Sequence, residues 1–175
     1  MAKIILDYFL ENVEKYGSKT FMTQPMGKDQ PVQTFTYTQI KEHAEKMAGH
    51  IGSLNLPAKS HIAICSKNCA YWVMADLAIT MAGHVSIPIF PTLTAEITQY
   101  TLEHSESKLL FVGKMDDKPY QEMKQGFTDI PKISFPLCPG EDCADMAWQS
   151  IMDSATPALT TPVERDSEEM ATIIY

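Results

Sequence analysis

The sequence predicts an α/β fold, a layered and largely parallel sheet with flanking helices, on three observations. Short, almost continuous apolar runs recur along the chain: His61-Ile62-Ala63-Ile64-Cys65, Val85-Ser86-Ile87-Pro88-Ile89, Leu109-Leu110-Phe111-Val112, Ile133-Ser134-Phe135 and Ala171-Thr172-Ile173-Ile174-Tyr175. Strands buried on both faces, as in parallel sheets, read this way. Helical stretches separate the first three runs, and strand–helix–strand alternation implies βαβ units with right-handed crossovers.

The elements follow in order. Ile5, Phe9, Val13 and Tyr16 recur at helical spacing and Gly17 follows as a stop, so residues 4–16 are expected to form an amphipathic helix. Phe21 to Pro25 and Val32 to Phe35 read as short strands joined by a turn over Met26 to Pro31. Thr38 is the expected N-cap of a long helix. That helix has an apolar stripe of Ile40, Ala44, Met47, Ile51 and Leu54, and a charged face of Lys41, Glu42, Glu45 and Lys46. After the first apolar run, Tyr71 to Ala82 is apolar nearly all round and ends at Gly83, which describes a buried helix. Thr94 to His104 has Thr94 as cap and Glu96 in its first turn, where the helix dipole favours an acid. Asp117 to Phe127 is a weaker helix. Pro88 favours a strand end or edge, because it cannot donate to a ladder. Pro136 to Asp145 reads as a loop, Met146 to Ser154 as a short helix, and Ala155 to Asp166 as a connection. The organisation is therefore one domain over 1–175. Residues 1–37 carry the first helix and short strands, 38–135 the βαβ body, 136–166 a loop-rich connection and 167–175 a last strand.

Composition excludes some functions. The net charge is −8, which argues against nucleic-acid binding, since that needs a basic face. At 45% hydrophobic and 21% charged residues the chain is globular in type. No apolar run approaches the roughly 20 residues that span a bilayer. Nothing resembles a signal peptide, so the expected location is the cytoplasm, free or at a membrane periphery. The four cysteines are then expected as free thiols.

Chemistry-bearing patterns are sparse. No Gly-rich loop joins a strand to a helix, so no phosphate cradle lies within these residues. No G-x-S-x-G elbow is present. Cys65, Cys69, Cys138 and Cys143 are only loosely spaced like zinc ligands and read as buried or loop thiols. His43, His50, His61, His84 and His104 have no nucleophile or carboxylate partner by sequence and read as structural or surface residues. Tyr71 and Trp72 read as core. The acids Glu164, Asp166, Glu168 and Glu169 read as a solvated loop. Asp116 and Asp117 follow a strand end, where doubly wound folds bind ligands. A phosphoacceptor receiver domain would place an Asp at the tip itself, and this chain has Gly113 there.

Three segments resemble the N-terminal part of the adenylate-forming, AMP-binding superfamily. They are Phe35-Thr36-Tyr37-Thr38-Gln39-Ile40; Ile64 to Leu93 (ICSKNCAYWVMADLAITMAGHVSIPIFPTL); and Asp166 to Tyr175 (DSEEMATIIY). The middle segment, with Thr94 to Val112, is similar to the long-chain acyl-CoA synthetase branch. The resemblance implies an N-terminal fragment of an AMP-forming long-chain fatty acid–CoA ligase. The whole enzyme would join a fatty acid to the α-phosphate of ATP, release pyrophosphate and pass the acyl group to CoA, with Mg²⁺ on the phosphates. The family's phosphate loop and catalytic lysine lie downstream of these motifs, so no catalytic or metal residue is carried onto this chain. The fragment is expected to be inactive, to bind no cofactor and to self-associate through exposed apolar surface. Phe90, Pro91 and Thr92 lie where relatives approach the CoA nucleotide; a plain β-to-α turn is the competing reading. Two further alternatives stand: another adenylate-forming enzyme (acyl-AMP, aryl or amino-acid activating), and a free-standing α/β interaction module.

Overall fold

The computed structural model describes residues 3–140 and 143–175. The first helical stretch is α1 (Ile5–Tyr16). Its buried face is Leu6 and Phe9, with Leu10 and Val13 packed beside them, while Ile5 is 83% exposed. The expected stripe through Ile5 and Tyr16 is therefore shifted. Leu6, Phe9, Leu10 and Val13 fall at i, i+3, i+4 and i+7, which is the tighter apolar face.

Strands β1 (Thr20–Gln24) and β2 (Gln33–Thr36) form an antiparallel hairpin. Helix α2 (Tyr37–Ser53) follows directly. Its cap is Thr36, not Thr38. The Thr36 hydroxyl accepts from Gln39 N–H at 3.2 Å, and the Gln39 side chain accepts from Thr36 N–H at 2.9 Å. Two orphan donors are satisfied reciprocally by this capping box. The stripe Ile40, Ala44, Met47 and Ile51 is buried as expected. Glu45, expected on the charged face, is also buried and pairs with Lys41 at 2.6 Å. The cover comes from the connection after residue 153: Leu159 N–H donates to the Glu45 carbonyl, and Lys46 Nζ donates to the carbonyls of Ser154 and Thr156. Gly49 permits this approach, since a Cβ there would overlap the Pro157 carbonyl.

The body continues as β3 (His61–Cys65), α3 (Ala70–Met81), β4 (Val85–Ile89), α4 (Ala95–His104) and β5 (Leu109–Val112). Then come α5 (Asp117–Met123), ending in a 3₁₀ turn over Lys124–Gly126, β6 (Lys132–Ser134), β7 (Met146–Ala147) and α6 (Trp148–Met152). Thr94 caps α4 as expected, accepting from Ile97 N–H. The five strands from β3 onward form one parallel sheet in the order β4-β3-β5-β6-β7. This is the doubly wound pattern in which the first two crossovers run in opposite directions along the sheet, placing α3 and α4 on opposite faces.

Alternation along the strands divides the core in two. Ile62, Ile64, Leu109, Phe111 and Ile133 face α1, α2, α3 and α6. Ala63, Cys65, Val85, Ile87, Leu110 and Val112 face α4 and α5. Trp148 seals the first half, 1% exposed among Tyr71, Phe111 and Phe135, with ring centroids 5.5 to 6.3 Å away.

Two further expectations are corrected. The last strand is reduced to a single parallel bridge, Ser86 with Thr172, on the outer edge of β4. Ser86 N–H donates to the Ala171 carbonyl and Ile173 N–H to the Ser86 carbonyl. The register stops there because Pro88, two residues on along β4, has no N–H to offer. The four free thiols become two: Cys138 and Cys143 are joined in a disulfide, their Cα atoms brought to 6.8 Å by the loop after β6, while Cys65 and Cys69 remain free. No helix among the described residues is long and apolar enough to cross a membrane.

Candidate functional site

The carboxyl ends of β3, β4 and β5 meet at one end of the sheet, where open α/β folds bind ligands. β3 and β5 are neighbours whose onward connections diverge, so the topological switch point lies between them. Here that crevice is laced shut. Lys67 N–H donates to the Lys114 carbonyl at 2.7 Å, and Lys114 N–H donates to Ser66 Oγ at 2.9 Å. Ser66 Oγ in turn donates to the Lys67 carbonyl at 2.7 Å. Gly113 allows the contact, because a Cβ would overlap both Ser66 and the Phe135 ring.

The open space is displaced toward β4. A cleft of about 580 Å³ lies there, bounded by Lys67, Lys114, Trp72, Phe90, Pro91 and Ile174. Phe90 is 61% exposed at the head of the β4-to-α4 turn, and Leu93 N–H closes the turn onto its carbonyl. Of the turn residues singled out from sequence, Phe90 and Pro91 border the cleft; Thr92 is exposed and is not part of its wall. Two cations facing an exposed aromatic ring suit an anionic ligand with a flat, stackable group. Lys67 Nζ is partly neutralised by Asp116, 2.6 Å away, which leaves Lys114 as the less encumbered cation. Asp116 is thus an ion-pair partner and sits at the N-cap of α5.

Sequence reasoning passed over Lys67 and Lys114. The rule that drew attention to Asp116, position just past an apolar strand, points equally to both lysines. Their convergence depends on the Ser66 lacing, which is a tertiary feature.

Of the remaining sequence candidates, His43, His61 and His104 have hydrogen-bond partners, whereas the buried His84 Nδ1 has none among the described residues. His43 Nδ1 accepts from the Trp148 indole N–H at 3.2 Å, and burial pushes its pKa below the usual value. His104 hydrogen-bonds the Tyr175 hydroxyl, and His61 the Ser105 carbonyl. His84 is buried beside Arg165, and burial lowers its pKa. Burial raises the Cys65 thiol to about 12, so it is not a nucleophile at neutral pH. Glu169 of the acidic cluster pairs with Lys59 and Arg165. Among the described residues no group of three or more His, Cys, Asp or Glu could hold a metal ion.

A layered parallel body, with the 166–175 segment against β4 and an open cleft at the strand ends, is the architecture of the leading part of an adenylate-forming ligase. The chain belongs to the AMP-binding enzyme family, whose model matches residues 9–175. Among curated proteins it is similar to the long-chain-fatty-acid–CoA ligase ACSBG2 of Rattus norvegicus, 29% identical over 108 residues, covering 62% of this chain and 16% of that protein. Among solved structures it is similar to the long-chain-fatty-acid-CoA ligase FadD1 of Archaeoglobus fulgidus, with TM-score 0.77, 25% identity, and coverage of 99% of this chain and 34% of that one. The benzoate CoA ligase of Burkholderia xenovorans LB400 shares the fold at TM-score 0.78 and 18% identity, covering 98% of this chain and 32% of that one. The chain therefore spans about a sixth of the length of the curated relatives it matches.

Proposed function

We propose that this chain is the amino-terminal scaffold of an AMP-forming ligase that activates long-chain fatty acids with ATP and transfers them to CoA. What supports the reading is the match of 99% of this chain to 34% of the Archaeoglobus ligase, together with the long-chain ligases among its relatives. The relatives at that level of similarity are not all of one substrate class, and the benzoate ligase shares the fold.

In this reading the described residues build and orient; they do not perform the chemistry. The parallel sheet holds the β4-to-α4 turn, whose Phe90 and Pro91 form the CoA side of the enzyme, with Thr92 next to them outside the cleft wall. Lys114, with Lys67 behind it, supplies positive charge for the CoA phosphates, and Phe90 a ring for its adenine. The cleft's donors fit such a nucleotide. When bound, Mg²⁺ would neutralise charge on the ATP phosphates; the residues that grip the triphosphate are assigned outside this chain.

A carboxylate panel on the relatives' full-length form tests the substrate. Pyrophosphate release should be fastest with long-chain fatty acids. Equal or faster release with benzoate or amino acids would move the enzyme to another branch of the family.

A further inference from the structure

A second cavity, of about 470 Å³, lies between α1, α3 and the 165–174 segment. It meets the lysine cleft only at the wall made by Trp72, Pro88 and Ile174. Leu6, Tyr8 and Leu77 complete an apolar slot. Its size and lining are those of small-molecule pockets, which pair apolar walls with a few placed polar groups.

Asp76 is the carboxylate that α3 contributes to this slot; Asp166 and Glu169 line it from the 165–174 segment. Asp76 lies in the middle of α3, where an otherwise apolar helix would take a hydrophobic residue. Its Oδ1 accepts from Ser86 Oγ at 2.6 Å. The Thr80 hydroxyl is turned onto the Asp76 main-chain carbonyl and does not serve the carboxylate. Oδ2 accepts no hydrogen bond, and no cation pairs with Asp76 among the described residues. Arg165, at the rim, is already engaged by the carbonyls of His84 and Met170 and by Glu169. Lys3, also at the rim, pairs with Glu11.

A half-buried carboxylate with one neutral partner and a second oxygen open to the cavity is held at a cost, and a donor with positive charge relieves that cost. Burial accordingly holds the Asp76 carboxyl above the usual carboxylate range. A fatty acid head would meet like charge here, so the cavity is not a duplicate acyl site.

We propose that this cavity binds a small amphiphile whose protonated amine pairs with Asp76 and whose hydrocarbon body fills the slot between α1 and α3.

Amide chemical shifts of the 175-residue chain, titrated at pH 7.5 with octylamine, octan-1-ol and octanoate, test this. Octylamine should shift Leu77, Thr80 and Ser86 saturably and bind at least tenfold tighter than octan-1-ol, with octanoate weakest. Asp76→Asn should weaken octylamine at least tenfold, whereas Ser86→Ala, which keeps the carboxylate, should not. Octan-1-ol or octanoate binding as tightly as octylamine overturns the proposal. So does a folded Asp76→Asn chain that binds octylamine like the parent. If Asp76→Asn does not fold, the octylamine-to-octan-1-ol ratio on the parent chain decides alone: tenfold supports the proposal, and parity refutes it.

Discussion

Replacing Trp148 by Phe tests the packing account at its largest fully buried side chain. The indole is 1% exposed and contacts Tyr71, Phe111 and Phe135, and its N–H donates to His43 Nδ1 at 3.2 Å. Two losses combine. Removing the N–H leaves an acceptor on the half-buried His43 unpaired, at about 1 to 2 kcal/mol. Shrinking indole to phenyl leaves a small void, at about 1 kcal/mol, well short of the ~3–5 kcal/mol of a full truncation to Ala. The sum, about 2 to 3 kcal/mol, is a large share of the roughly 5 to 15 kcal/mol available to a domain. Urea unfolding followed by far-UV circular dichroism at pH 7.5 reads it as a lower midpoint at unchanged slope. Trp72→Phe is the internal control: Trp72 is only half-buried, beside the cavities, and should cost less than about 1 kcal/mol. A Trp148→Phe loss below about 0.5 kcal/mol, or a larger loss at Trp72, would refute the reasoning.

Acid should destabilise the fold through His43 and His84, whose folded pKa values burial holds below the usual one. Because the unfolded chain takes up the proton first, stability is full above about pH 7 and falls as pH drops below about 6.5; urea midpoints at pH 7.5 and 5.5 should differ, and His43→Gln should narrow the gap. Gly49→Ala should cost about 1 to 3 kcal/mol by forcing the Pro157 segment off α2, read as a lower midpoint, whereas the same change at Gly52, where nothing lies near a new side chain, should stabilise slightly through helix propensity. In the full-length relatives' form, Lys114→Ala and Phe90→Ala should raise the KM for CoA about tenfold and leave the KM for ATP unchanged; an equal effect on both substrates would take the cleft away from CoA.

Much of the fold was legible because parallel strands buried on both faces leave a plain trace. The runs at His61, Val85 and Leu109 became β3, β4 and β5 with almost unchanged bounds. What escaped was set by tertiary contacts. Glu45 looked solvated until the 154–159 connection covered it, and the run at Ala171 looked like a full strand although it reaches β4 by one bridge. The Thr36–Gln39 box was readable as T-x-x-Q and was outweighed by Thr38, two residues nearer the apolar stripe. The disulfide was invisible because spacing alone does not show whether a loop folds back. At the candidate site, the resemblance drew attention to the turn at Phe90 and Pro91, whose role toward CoA is a proposal. Its nearness to Lys67 and Lys114 was not legible, since the hydrogen bonds that join the two loops, directly and through Ser66, are tertiary contacts.

Thioester formation is the decisive measurement. Given a long-chain fatty acid, ATP and CoA, a polypeptide carrying residues 1–175 at the full length of the relatives should yield acyl-CoA and AMP in equal amounts, and residues 1–175 alone should yield neither. Acyl-adenylate made by the 175 residues on their own, or no thioester from the longer polypeptide with any carboxylate, would contradict a scaffold that holds the CoA-side turn and leaves the triphosphate to residues elsewhere.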